Sequence, residues 1–174
     1  MNFFYLIQYT LAKMKVAVSI FFIGVLISAC GDNPYKEAIN IALLAKNPLL
    51  ITGSETMRPN SAGGVNVSLS AINLSSNTIK YITFTVNSYN AVGDVVDGEV
   101  NNNSIARLQD TGPIAFMGKM SGEWSTVWYN STITCMEISH IKIEYLNGKS
   151  ITIASENKIN DLLRYDVQNN CSIG

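Results

Sequence analysis

One histidine, His140, and three cysteines, Cys30, Cys135 and Cys171, are the only imidazole and thiol groups in this sequence. A zinc centre needs several nitrogen or sulfur ligands at close spacing, and neither a CxxC pair nor a second histidine is present. His140 falls in ISHIKIEYL, where alternation makes it part of one strand face, and no GxSxG-type nucleophile turn accompanies it. The acids Asp94, Asp97 and Glu99 in DVVDGE could offer oxygens to a calcium ion, but their order departs from an EF-hand loop and reads as a solvated turn. With no general acid, base or nucleophile assembled, the chain is not expected to be an enzyme, and no catalytic residue, cofactor or metal is assigned.

Aromatic side chains offer a different chemistry. Trp124, Thr126 and Trp128 alternate with Ser125, Val127 and Tyr129, so the strand carrying them should turn at least one large ring outward. Trp124, Trp128 and Tyr129 are therefore candidate contacts for a sugar or a protein ligand. The competing reading is packing, because sandwich cores commonly bury a tryptophan. Asn66, Asn73, Asn102 and Asn130 each begin an N-x-S/T triplet, which is read here as polar strand and turn sequence.

Cys30 stands where an oily run gives way to polar sequence. Residues 16–27, VAVSIFFIGVLI, have the length of a signal-peptide core, with Lys13 and Lys15 as its positive flank and Met14 as an alternative start. Spanning a bilayer takes about 20 apolar residues. Extending the run back through FFYLIQYTLA would bury the two lysines, at roughly 2.5–3.5 kcal/mol for each centrally placed charge. Ile27-Ser28-Ala29-Cys30 then resembles a bacterial lipobox, with Ile27 where leucine is more usual. The resemblance implies cleavage before Cys30 and a diacylglyceryl thioether on its sulfur, hence attachment to a membrane of the cell envelope. Gly31 after the cysteine resembles the outer-membrane sorting signal of a Gram-negative cell. An acylated Cys30 leaves Cys135 and Cys171 as a candidate disulfide in an oxidising compartment.

The elements that must carry these groups follow from composition and pattern. Hydrophobic residues make up 47% of the chain and charged ones 14%, enough for a packed core, and a net charge of -1 argues against a nucleic-acid partner. The sequence divides into a signal peptide (1–29), a lipidated cysteine with short helix and linker (30–64), and a sandwich (65–174). Asn33-Pro34 opens a helix with Ala38, Ile39, Ala42 and Leu43 as its apolar stripe, and Asn47-Pro48 ends it. TGSETMRPNSAGG, residues 52–64, is turn chemistry. Val65, Val67, Leu69 and Ala71 alternate with polar residues, Ile82, Phe84 and Val86 do the same, and EWSTVWYNSTITCMEI and HIKIEYL are rich in β-branched and aromatic residues. Asn147-Gly148 predicts a two-residue hairpin, and ENKINDLLRY a closing helix of about two turns. The fold class expected is all-β, an antiparallel immunoglobulin-like sandwich with one short helix before it and one after.

Residues 65–153 add a resemblance. VNVSLSAINLSSNTIKYITFTVNSYNAVGD, TGPI and WSTVWYNSTITCMEISHIKIEYLNGKSITI are similar to FxLYD-like immunoglobulin-like domains of bacterial lipoproteins. Such relatives often carry a cysteine soon after the Gly93-Asp94 turn; here Val95-Val96-Asp97-Gly98 has none, which leaves Cys171 to pair with Cys135. The resemblance implies a sandwich and lends no catalytic residues. The expected role is a membrane-anchored, non-enzymatic lipoprotein acting in protein recognition or envelope structure. The alternative is a carbohydrate or small-ligand module built on the exposed aromatics.

Overall fold

A computed structural model describes residues 35–171, so Cys30 and the whole signal segment lie outside the described residues. Helix α1 (Lys36–Leu44) precedes seven strands: β1 (Leu49–Thr56), β2 (Gly64–Asn73), β3 (Ile79–Asn90), β4 (Ile105–Ile114), β5 (Lys119–Tyr129), β6 (Ile133–Tyr145) and β7 (Ser150–Ile153). A short helix, α2 (Glu156–Asn160), closes the order, and no described helix is long and apolar enough to cross a membrane. Pairing is antiparallel throughout, in a three-stranded sheet β1-β2-β5 and a four-stranded sheet β4-β3-β6-β7. The expected all-β sandwich is thus the fold. Its fourth strand pairs with β3, whereas the seven-stranded constant-type immunoglobulin arrangement places the fourth strand in the opposite sheet.

Alternation builds the core. Val65, Val67, Leu69 and Ala71 of β2 face Ile82, Phe84 and Val86 of β3 and Ile141 and Ile143 of β6, all buried in one cluster between the sheets. Ser88 continues the inward face of β3 and is buried as well; its hydroxyl donates to Val96 O at 2.6 Å, fastening the β3–β4 connection. Asn73 is the other buried polar residue. Its Nδ2 donates to Ile114 O (2.8 Å) and Asn77 O (3.0 Å), and its Oδ1 accepts from Ser75 N–H (2.9 Å), so one side chain ties three chain segments where the sheets meet.

Four elements depart from the sequence expectation. The sandwich begins at Leu49 rather than residue 65, because LLITGSET, read in part as turn, forms β1. Gly53 sits at a register shift where a Cβ would stand 2.7 Å from Ser70 Oγ, so the glycine marks a bulge in a polar edge strand. IARLQDTGPI carries little alternation, yet it pairs along β3 as β4, an edge strand burying only Leu108 and Ile114 among the large apolar residues. The closing helix stops at Asn160, since Leu162 O accepts from Ile51 N–H (2.7 Å) and Ile51 O from Arg164 N–H (2.9 Å), a parallel pairing that draws the chain out of helical geometry. The hairpin after β6 is longer than two residues: Gly148, at φ 82°, donates N–H to Tyr145 O, and Tyr145 N–H donates to Lys149 O.

Helix α1 buries Ala38, Ile39 and Ala42 as its stripe predicts, whereas Leu43 is exposed. Leu50 and Ile72 are buried outside the main cluster, and Ala38, Ala42 and Leu50 wall one hollow, so the helix covers the outward side of β1.

Candidate functional site

A groove lies where the β1 edge approaches the start of β6. It encloses about 600 Å³ and is walled by Thr52–Thr56 of β1, Ser68 and Ser70 of β2, Thr134–Met136 of β6 and the tail segment around Arg164–Gln168. Ser68 and Ser70 are outward positions of β2 that alternate with the buried Val67, Leu69 and Ala71, whereas Ser54 and Thr56 pair with Leu69 and Val67 and so lie on the inward side at the sheet's edge. Thr52 and Ser70 hydroxyls hydrogen-bond to each other at 3.0 Å across the bulge at Gly53.

The backbone of β1 supplies the groove's other chemistry. As an edge strand it pairs with β2 on one side, and among the described residues its outer side meets the tail only at the Ile51–Leu163 bridge. Met57 N–H donates to Asn66 O on the β2 side, so ladder alternation turns the peptide groups of Ser54 and Thr56 outward into the groove. Among the described residues no backbone group pairs with these two outward peptide groups, an arrangement that suits the addition of an extended segment.

The tail borders this groove as a strap. The Asn169 side chain pairs with the Ile138 backbone like a strand residue, accepting from its N–H and donating to its O (3.0 Å), and Cys171 N–H donates to Glu137 Oε1 at 2.7 Å. Cys135 and Cys171 form the expected disulfide, with Cα atoms 5.7 Å apart. Arg164 holds Asp166 in a two-bond ion pair, Nε to Oδ1 and Nη2 to Oδ2 (2.7 Å). The Arg164 hydrogen bonds hold the Asp166 carboxyl below its usual range. Beneath the strap, burial and then a hydrogen bond to Glu137 push the Tyr89 phenol up from its usual value.

The aromatic trio does not form one surface. Three residues of β5, Ser125–Val127, bulge opposite Asn66, with Thr126 at φ 54° and its N–H held by Asn66 Oδ1 (2.8 Å); two extra residues leave the alternation unchanged, so Trp124 and Trp128, paired with the inward Val67 and Val65, both lie on the core side. Trp128 is 1% exposed, so the candidate ligand contact assigned to it is replaced by core packing. Trp124 packs against the same core, folds over Gly122, where a Cβ would stand 2.3 Å from its ring, and donates Nε1 to Gln109 O (3.3 Å) across the opposite sandwich edge. Tyr129 alone is exposed. His140 lies on the surface with Nδ1 3.2 Å from Ser139 Oγ, and that hydroxyl donates to Thr85 O, so neighbouring serine and histidine serve the strand rather than a triad. Among the described residues no three His, Cys, Asp or Glu side chains converge as a metal site.

The groove hydroxyls went unremarked in the sequence because outward serines on a strand look like any solvated face. The signal that could have found them is the run of serines at 68 and 70 opposite glycine-interrupted LLITGSET.

No protein-family model matches the chain, and no curated protein matches it in sequence. The resemblance to FxLYD-like domains therefore rests on the residues quoted for it. Among solved structures the chain is similar to IrmA from Escherichia coli, with a TM-score of 0.45 and 12% identity over 70% of this chain and 91% of that one. It is also similar to a DUF1425 family member from Shewanella sp. PV-4, with a TM-score of 0.36 and 16% identity over 55% of this chain and 76% of that one. Likenesses of this size assign neither a site nor a function.

Proposed function

We propose that this chain is a lipid-anchored, non-enzymatic envelope protein that recognises a partner protein by adding an extended segment of it to the β1 edge. The lipobox-like Ile27-Ser28-Ala29-Cys30 and the apolar run before it support the anchor and the envelope location. The observation that carries recognition is the outward-facing backbone of Ser54 and Thr56 beside the hydroxyl-lined groove: main-chain hydrogen bonds would supply affinity and the groove would select side chains. The inward packing of Trp128 and Trp124 removes two of the three aromatics on which a carbohydrate module would depend.

Ser54→Pro tests the reading, because proline deletes one outward N–H while leaving the β2 side of the ladder in place. The acylated chain is isolated from gently solubilised membranes with whatever protein accompanies it at fixed stoichiometry. The expected result is a partner bound by the parent chain and lost from the Ser54→Pro chain at an almost unchanged melting midpoint. A partner retained by the variant, or none on the parent, defeats edge recognition. An N-terminal peptide whose mass shows an unmodified Cys30 defeats the anchor.

A further inference from the structure

The two ends of the sandwich carry opposite charge. At the end where β1 starts, hydrogen bonds join four connections: Leu74 N–H donates to Pro48 O, Met117 N–H to Asn73 O, Leu146 N–H to Thr78 O, and Asn147 Nδ2 to Asn77 Oδ1. Three of these connections present bare apolar side chains. Leu44 at the end of α1 is 85% exposed, Phe116 in the β4–β5 connection 52%, and Leu146 in the last hairpin 59%. Lys46 and Lys149 are exposed on the same connections and Lys119 at the start of β5, and the acid Asp161 borders them where its backbone oxygen accepts from Asn47 Nδ2. The far end also exposes apolar residues, Val92 and Val100 among them, but there Asp94, Asp97 and Glu99 stand between them with Arg58 on a neighbouring connection.

Apolar loop tips ringed by lysines match the layering of an anionic lipid surface: the rings and leucines enter the acyl boundary, and the ammonium groups on their flexible stems stay with headgroup phosphates. The acidic far end would be repelled by the same surface. Chain length permits this. Five peptide links separate Cys30 from Tyr35, a reach of at most about 18 Å fully extended, and the nine residues of α1, whose far end leads through Pro48 into β1, span only about 13.5 Å.

We propose that the end bearing Phe116, Leu146, Leu44 and Lys46 docks against the anionic phospholipid surface of the membrane that holds the chain. The proposal rests on the acyl-anchor reading above and adds to it a fixed orientation: the body stands end-on, with the β1 edge groove facing sideways and the acidic loop pointing away.

The test uses the full chain, extracted from bacterial membranes and reconstituted into phosphatidylglycerol–phosphatidylethanolamine vesicles, with or without bromine on the lipid acyl chains. Phe116→Trp and Val100→Trp each add one indole at an exposed tip, and Trp124 and Trp128 give both variants the same background. The expected result is that brominated vesicles remove most of the emission added at position 116 and leave that added at position 100. Emission retained at both positions, or lost at position 100, overturns the proposal. Emission at position 116 that is shielded from aqueous iodide and from bromine alike shows that protein covers this end, and overturns it too. A chain recovered with a free Cys30 thiol fails the anchor reading separately. Mixed with the same vesicles, its indole at position 116 still decides the docking proposal, quenching upholding it and full emission overturning it.

Discussion

Replacing Asn73 by aspartate changes one nitrogen to oxygen and almost nothing in volume, yet it should be among the most damaging substitutions in the chain. The side chain is 1% exposed, and its Nδ2 is the donor to both Ile114 O and Asn77 O. Asn73→Asp keeps the acceptor that holds Ser75 N–H but leaves two carbonyl oxygens facing another oxygen. Each unpaired buried group costs about 1–3 kcal/mol, so the loss at neutral pH is roughly 2–6 kcal/mol, a large part of the 5–15 kcal/mol that holds an ordinary domain together. The new carboxylate also adds a pH dependence. Burial and the two carbonyls disfavour its charged form, so its pKa in the folded state lies above that in the unfolded chain. Below the unfolded value both states keep the proton and the deficit is smallest. As the pH rises towards the folded value the unfolded chain binds fewer protons, and the deficit grows by up to about 1.4 kcal/mol per pH unit. Urea unfolding of the parent, Asn73→Asp and Asn73→Ala chains at neutral and mildly acidic pH measures this. Only the aspartate variant should recover stability on acidification. A loss below about 1 kcal/mol at neutral pH, set against the cost of unmade hydrogen bonds, or a loss in Asn73→Asp that does not shrink with acid, would refute the reasoning.

Two further predictions concern the strap. Cys135→Ser with Cys171→Ser removes a cross-link spanning 36 residues; the chain-entropy model gives a loss of about 4 kcal/mol, or a midpoint lower by roughly 10–15 °C. Calorimetry of the non-reduced chain checks it, and a shift of only a few degrees would show that Asn169 and the buried Leu162 hold the tail unaided. For Asp166, whose pKa Arg164 lowers, the stabilising contribution is present above the unfolded carboxyl value and lost as pH falls through the folded one. A carboxyl-carbon NMR titration should find Asp166 below the ordinary aspartate range and Arg164→Gln should return it there; a midpoint indifferent to that substitution would contradict the ion pair.

Strands whose residues alternate strictly could be read without coordinates, because period-two burial leaves a trace in the residue types themselves. Val65 to Ala71 and Ile82 to Val86 are of this kind, and with them came the fold class; the pairing of Cys135 with Cys171 came instead from the cysteine count once Cys30 is set aside as acylated. The edge strands were less legible. LLITGSET and IARLQDTGPI each bury few side chains, and a glycine at a bulge or at a close backbone approach, such as Gly112 against Ile79 O, carries the same letter as a glycine in a turn. The site was hidden for the same reason: Ser68 and Ser70 are ordinary outward strand residues, and Ser54 and Thr56 lie on an edge strand with little alternation of its own.

By itself the sequence determined the lipobox-like segment ahead of the domain, the two-sheet architecture and the scarcity of catalytic groups, all of which depend on residue types and local spacing. Tertiary structure alone decided that the face shared by both tryptophans is the inward one, that the tail pairs with Ile51 beside the β1 edge, and that lysines and apolar tips from three separate connections share one end. Those outcomes depend on register and on contacts between residues far apart in the chain, where a single inserted residue changes which face a side chain meets.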